Sequence, residues 1–134
     1  MRKQSGHTSL SVNEEIISVT LSGVFNEKEA LNYKALLFDA IHTLRGKPFC
    51  MLVDNTGVEG GTPEAFAVLE DINTALPSFS LIAKAYVYKS DIIMGIVKQR
   101  VLALKKINKR NFTDYQDAMA WLASEKAHYS QGIG

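Results

Sequence analysis

The chain has 134 residues, 46% apolar and 22% charged, which suits one globular domain able to bury about two-thirds of its unfolded surface. Fifteen basic and fourteen acidic residues leave a net charge of +1; this argues neither for nor against a polyanionic partner, and no nucleic acid is expected. No apolar run approaches the ~20 residues that span a bilayer, no apolar stretch follows the charged start MRKQSGH as in a signal peptide, and the single Cys50 excludes an internal disulfide, so a cytoplasmic protein is expected.

Residues 1–7 read as a polar, disordered tail. Leu10 and Val12 suit a short first strand, turned by Asn13-Glu14-Glu15 into a second in which Ile17, Val19 and Leu21 alternate with Ser18, Thr20 and Ser22. That period of two places one face on the core and leaves the other wet or paired with something polar, and Gly23 is expected to end the strand. Asn26 with Glu29 three residues on forms a capping pair for a helix through Leu44. Its apolar face is Tyr33, Leu36, Leu37, Ala40, Ile41 and Leu44, with Gly46 as the C′ residue.

Phe49 to Val53 is apolar on both sides, the pattern of a central strand covered on each face. Asp54, Asn55, Thr56 and Gly57 favour a turn that stops it. Thr62-Pro63-Glu64 then opens a second helix, with Thr as N-cap, Pro at the first helical position and an acid facing the positive helix end. Phe66, Leu69, Ile72, Asn73 and Leu76 follow at helical spacing, and Pro77 prevents continuation. Leu81 to Tyr88 reads as another strand, Leu81, Ala83, Ala85 and Val87 on one side and Ile82, Lys84, Tyr86 and Tyr88 on the other. Ser90 or Asp91 caps a third helix carrying Ile93, Ile96, Val97, Val101 and Leu104. Asn111-Phe112 forms a short last strand. Thr113 with Gln116 is the expected capping box of a final helix, whose Ala118, Trp121 and Leu122 point inward. Residues 130–134 are expected to fray. The order is β-β-α-β-α-β-α-β-α, an α/β single domain over 1–134 with a mixed sheet, an N-terminal hairpin and about four helices.

A hairpin ending in Gly23, the strand MLVD, the turn and helix after it, a Lys/Ala/Tyr-containing strand and the closing FTDYQDAMAWL together resemble the STAS domain, and more closely the SpoIIAA-like proteins of bacteria. The resemblance covers residues 10–125. It implies a small α/β sandwich akin to the anti-sigma-factor antagonists and distantly to Sec14-type lipid-binding domains. Antagonists of that kind carry an Asp-Ser-Ser-Gly phosphorylation motif at the start of the helix after the central strand. Here the segment reads Gly60-Gly61-Thr62-Pro63-Glu64, in which Thr62 alone offers a hydroxyl.

Gly60, Gly61 and Thr62 are therefore a candidate phospho-acceptor or partner loop, set against the simpler role of Thr62 as a cap. No carboxylate pair, nucleophile–base pair, phosphate loop or metal-ligand spacing accompanies them, so no catalytic residue, metal or cofactor is expected. His7, His42 and His128 are scattered, and Cys50 reads as a small core residue. From Lys84 to Arg110 eight basic residues face one acid, while from Pro48 to Ala83 there are five acids and no base. Lys98, Arg100, Lys105, Lys106, Lys109 and Arg110 form a candidate basic patch, either a solvated surface or a steering field for an acidic partner. Ile82, Lys84, Tyr86 and Tyr88 form a candidate dimer face, unless a helix covers it. The expected function is a non-enzymatic regulatory or protein-interaction module whose partner is a protein or a second copy. The alternative is a carrier of a small apolar or lipid-like ligand, for which Phe38, Phe66, Phe79, Tyr86 and Tyr88 are available.

Overall fold

A computed structural model describes residues 4–133. Five strands, β1 (His7–Asn13), β2 (Ile16–Phe25), β3 (Phe49–Gly61), β4 (Leu81–Val87) and β5 (Lys109–Phe112), form one sheet in the order β1-β2-β3-β4-β5. The first pair is antiparallel and the rest are parallel. The helices are α1 (Glu27–Thr43), α2 (Pro63–Ala75), α3 (Asp91–Arg100) and α4 (Tyr115–Ile133), with 3-10 turns at Leu76–Ser78 and Leu102–Lys106. The mixed α/β sandwich expected from the sequence is the fold observed.

The pleat of the strands sorts two cores. Ile17, Val19 and Leu21 of β2 and Phe49, Met51 and Val53 of β3 pack with Tyr33, Leu37 and Ile41 of α1, Ile72 of α2 and Val97 of α3. On the opposite side Cys50, Leu52, Ala83, Ala85 and Val87 pack with Ala118 and Leu122 of α4, and Trp121 lies half-buried at the margin with its ring 5.8 Å from that of Phe112. The centre of the sheet is thus covered on both faces, as the two-sided apolar pattern of β3 requires.

Local signals decide most of the ends. Asn26 and Glu29 make the reciprocal capping box of α1, with bonds of 3.0 and 2.9 Å. Thr62 caps α2 and Ser90 caps α3. Glu14 and Glu15 both take positive φ, 51° and 60°, which gives the β1–β2 hairpin a two-residue turn matching the strand twist. Lys126 of α4 holds that turn, donating to the Glu14 carbonyl at 2.9 Å and lying 3.7 Å from the Glu15 carboxylate.

Several expectations need correction. Residues 4–7 are ordered: the Val24 N–H donates to the Gln4 carbonyl at 3.0 Å, and His7 opens β1; residues 1–3 lie outside the described part. Gly23 does not end β2. It takes φ +86°, and a Cβ there would come 2.5 Å from the Ser5 carbonyl oxygen, so glycine lets the N-terminal segment run alongside. The C′ position of α1 is held by Arg45, with φ 52°, one residue before Gly46. Leu36, placed on the buried face of α1, is exposed. β3 continues through Asp54–Gly57 to Gly61, because pairing with β2 carries on past two register shifts. α3 stops at Arg100, and Val101 and Leu104 reach the core from the turn that follows. The last strand begins at Lys109, and α4 runs to Ile133; Gly134, at the end expected to fray, lies outside the described part. Thr113 and Gln116 form no capping box; the Asp114 carboxylate accepts from the Asp117 N–H at 3.0 Å instead.

That assignment predicts that Asp114→Ala lowers stability by about 1 kcal/mol, the usual value of an N-cap, while Thr113→Ala changes it by less than about 0.5 kcal/mol. Equal losses in chemical denaturation would refute it.

Candidate functional site

Between the sheet and α1, α2 and α3 lies a cavity of about 160 Å³. Leu21 and Phe25 of β2, Val53 and Val58 of β3, and Tyr86 of β4 line it from the sheet. Tyr33 of α1, Phe66 and Leu69 of α2, and Ile93, Ile96 and Val97 of α3 line it from the helices. It extends along the second half of β3, so Gly60 and Gly61 also lie on its wall. Ligands of parallel α/β sheets bind at such carboxyl ends of strands. An apolar cavity of roughly this volume accommodates a benzene-sized molecule.

Lys84, Asn73 and Asn55 are the polar exceptions to that lining. The pleat of β4 turns the Lys84 side chain toward α2, where it is 1% exposed, and its Nζ donates to Asn73 Oδ1 at 2.8 Å. The Asn73 amide is itself anchored, donating from Nδ2 to the Leu69 carbonyl at 2.8 Å. Nζ lies 4.8 Å from the centre of the Tyr86 ring, which stacks on Tyr88 at 5.6 Å. The Lys84 ammonium forms no ion pair and no other hydrogen bond among the described residues. Burial without a counter-charge disfavours the ammonium form and pulls its pKa down from 10.5 to about 7. Burial likewise raises the phenols of Tyr33 and Tyr86, and pushes Tyr88 up to about 12 against the pull of the Asn55 amide. Asn55, also on the wall, is buried with its Oδ1 unpartnered.

The expected dimer face is therefore absent. Lys84, Tyr86 and Tyr88 are 1%, 5% and 3% exposed, covered by the helices of their own chain. Ile82 does not share their side: a register shift against Phe49 and Cys50 turns it toward α4, and Leu81 toward α1 and α2. Thr62 is engaged as the cap of α2, its Oγ1 accepting from the Ala65 N–H at 3.2 Å. Lys98, Arg100, Lys105, Lys106 and Arg110 are exposed and Lys109 is partly buried; Lys84, which the charge count included, contributes nothing to that surface. Asp54 accepts from the Thr56 N–H and hydroxyl at 2.9 and 2.7 Å, a local turn contact within β3. Among the described residues there is no cluster of metal-ligating side chains and no helix long and apolar enough to cross a membrane.

The SpoIIAA-like family model matches residues 16–123. The chain belongs to the SpoIIAA-like family. No curated protein sequence matches it. Among solved structures, this SpoIIAA-like chain is similar to an anti-sigma factor antagonist from Mycobacterium paratuberculosis, with a TM-score of 0.66 at 14% identity over 88% of this chain and 94% of that one. It is also similar to an uncharacterized protein with a SpoIIAA-like fold from Shewanella loihica PV-4, with a TM-score of 0.61 at 15% identity over the same shares, 88% and 94%. At such identities the likeness concerns the fold.

Sequence reasoning missed the cavity and placed its lysine, Lys84, on an exposed face. The available signal was a Lys at a strand position flanked by Ala83 and Ala85, together with an Asn on the apolar stripe of α2; each is out of place alone, and they satisfy one another. The lowered pKa has a consequence for stability. Between about pH 7 and 10 the unfolded chain holds a proton on Lys84 that the folded chain has released, so folding becomes more favourable as pH rises through this window. Below it the full cost of burying the ammonium remains. Lys84→Met should therefore gain most over wild type near pH 6, with the gap closing toward pH 10. A pH-independent gap in denaturant titrations would show that Lys84 does not titrate within the fold.

Proposed function

We propose that the chain is a non-enzymatic, cytoplasmic regulatory module of the SpoIIAA-like type that takes up a small apolar ligand between its sheet and α1–α3. The cavity carries this reading. A well-packed core of this size leaves few voids larger than a water molecule, and a void lined by Leu, Val, Ile, Phe and Tyr loses dispersion contacts unless a ligand restores them. The position at the carboxyl ends of β3 and β4, beside Gly60 and Gly61, supports the same reading.

A protein partner is the second reading, supported by the exposed cations Lys98, Arg100, Lys105, Lys106 and Arg110 on α3 and the segments after it. An acidic partner surface would suit them, and α3 also lines the cavity, so ligand and partner would act on one helix. A partner loop at Gly60, Gly61 and Thr62 would lie next to the same cavity. Self-association would need a surface other than the β4 face.

A neutral probe tests the ligand reading. Toluene at millimolar concentration should shift the methyl resonances of Ile93, Val97 and Val101 and raise the melting temperature. Ile96→Trp, which places an indole where Ile96 meets the void, should abolish both effects while leaving the fold intact by circular dichroism. Wild-type methyl signals that ignore toluene would remove the reading.

A further inference from the structure

We propose that Lys84 anchors the ligand through a carboxylate, so that the cavity selects a small apolar monocarboxylate over an alcohol, an amine or a hydrocarbon of the same size. This rests on the reading of the cavity as a ligand site and names the class of molecule it takes.

The argument starts from what the ammonium lacks. A lysine ammonium has three N–H donors, and Asn73 Oδ1 accepts the single hydrogen bond that Nζ makes among the described residues. The other two donors have no acceptor among the described residues, although the residue is 1% exposed and lines the cavity. Buried polar groups are almost always hydrogen-bonded, and buried charges are paired. The titratable groups on the cavity wall are Lys84 itself, Tyr33 from α1 and Tyr86 beside it on β4; α2 brings Asn73, and α3 brings Ile93, Ile96 and Val97. No wall residue is acidic. Glu64, Asp71, Asp91, Lys98 and Arg100 on α2 and α3 are exposed, and Glu70 is engaged by the Ala103 N–H at 2.7 Å. The missing partner is therefore one anion, and it must come with the ligand.

Charge and size narrow it further. A monoanion cancels the single cation, whereas a phosphate dianion would leave a second charge buried without compensation. A carboxylate has two oxygens with which to meet the two free donors. About 160 Å³ holds roughly one six-membered ring or a chain of about six carbons beyond that group. An alcohol supplies a neutral acceptor and no charge, and an amine brings a second cation against the first.

Binding a carboxylate requires the ammonium form, and in the empty protein burial pulls that group to about 7. Carboxylate affinity should thus be constant below pH 7 and fall by about tenfold per pH unit above it, with one proton taken up on binding. The phenols of Tyr33 and Tyr86, raised by burial, stay protonated across that range.

Titration calorimetry of the full chain with hexanoate, benzoate, hexan-1-ol, hexylamine and toluene tests this. Hexanoate should bind at least about tenfold more tightly than hexan-1-ol at pH 6, the ratio expected of a charge-assisted hydrogen bond. That preference should vanish by pH 9, while toluene affinity stays flat. Lys84→Met should keep toluene binding and lose the preference. Toluene binding with no preference for hexanoate would overturn the proposal and leave the ligand site standing. Failure of every probe would overturn both. A preference retained in Lys84→Met, or unchanged from pH 6 to 9 in wild type, would show that Lys84 is not the anchor. The wild-type pH profile decides the matter if the variant does not fold.

Discussion

The hydrogen bond from Lys84 Nζ to Asn73 Oδ1, 2.8 Å long, is the buried polar contact around which the cavity side of this protein is arranged. It ties β4 to α2 beside the Tyr86 ring, and Asn73 passes the tie to the backbone of its own helix through Leu69. A hydrogen bond to a charged group contributes about 1.5–3 kcal/mol, while burying an ammonium costs several kcal/mol even after relaxation. The bond does not offset the burial. Under the proposed reading, a residue that weakens the core while lining the cavity serves the ligand rather than stability.

The two faces of the sheet do different jobs because β4 alternates small and large. Ala83 and Ala85 let α4 pack against the sheet, and the core beneath it is closed by Ala118 and Leu122. Lys84, Tyr86 and Tyr88 face the other helices, and the bulk of the two phenols does not fill the space under α1, α2 and α3. The helix on the outer wall, α3, is ten residues long and buries only Val97 fully. One face carries the compact core under α4, and the other carries the cavity.

Membership of the SpoIIAA-like family establishes the architecture, and the 14–15% identity to the solved neighbours leaves the chemistry to this chain's own residues. The hydroxyl nearest the expected switch position, that of Thr62, is a helix cap. The polar chemistry of the interior lies elsewhere, on Lys84, Asn73 and Asn55.

The sequence by itself determined the element order and most of the helix ends, because these are local matters. The Asn26–Glu29 box, Thr62 before Pro63 and the Asn13–Glu15 turn act within four residues of themselves, and each is found as read. The alternation in β2 likewise told which residues share a side. What it could not tell is what lies opposite that side. Lys84, Tyr86 and Tyr88 look the same in the sequence whether they face water, a second copy or a helix, and only the return of α1, α2 and α3 to one face buried them. Pairing with distant strands also overrode local preference, carrying β3 through Asp54–Gly57 to Gly61 and shifting β4 against Phe49 and Cys50, so that Ile82 faces α4. A cavity is the extreme case. It is the space left when elements far apart in the chain pack imperfectly, so no stretch of sequence contains it, and only the tertiary structure brings Lys84, Asn73 and Ile96 around the same void.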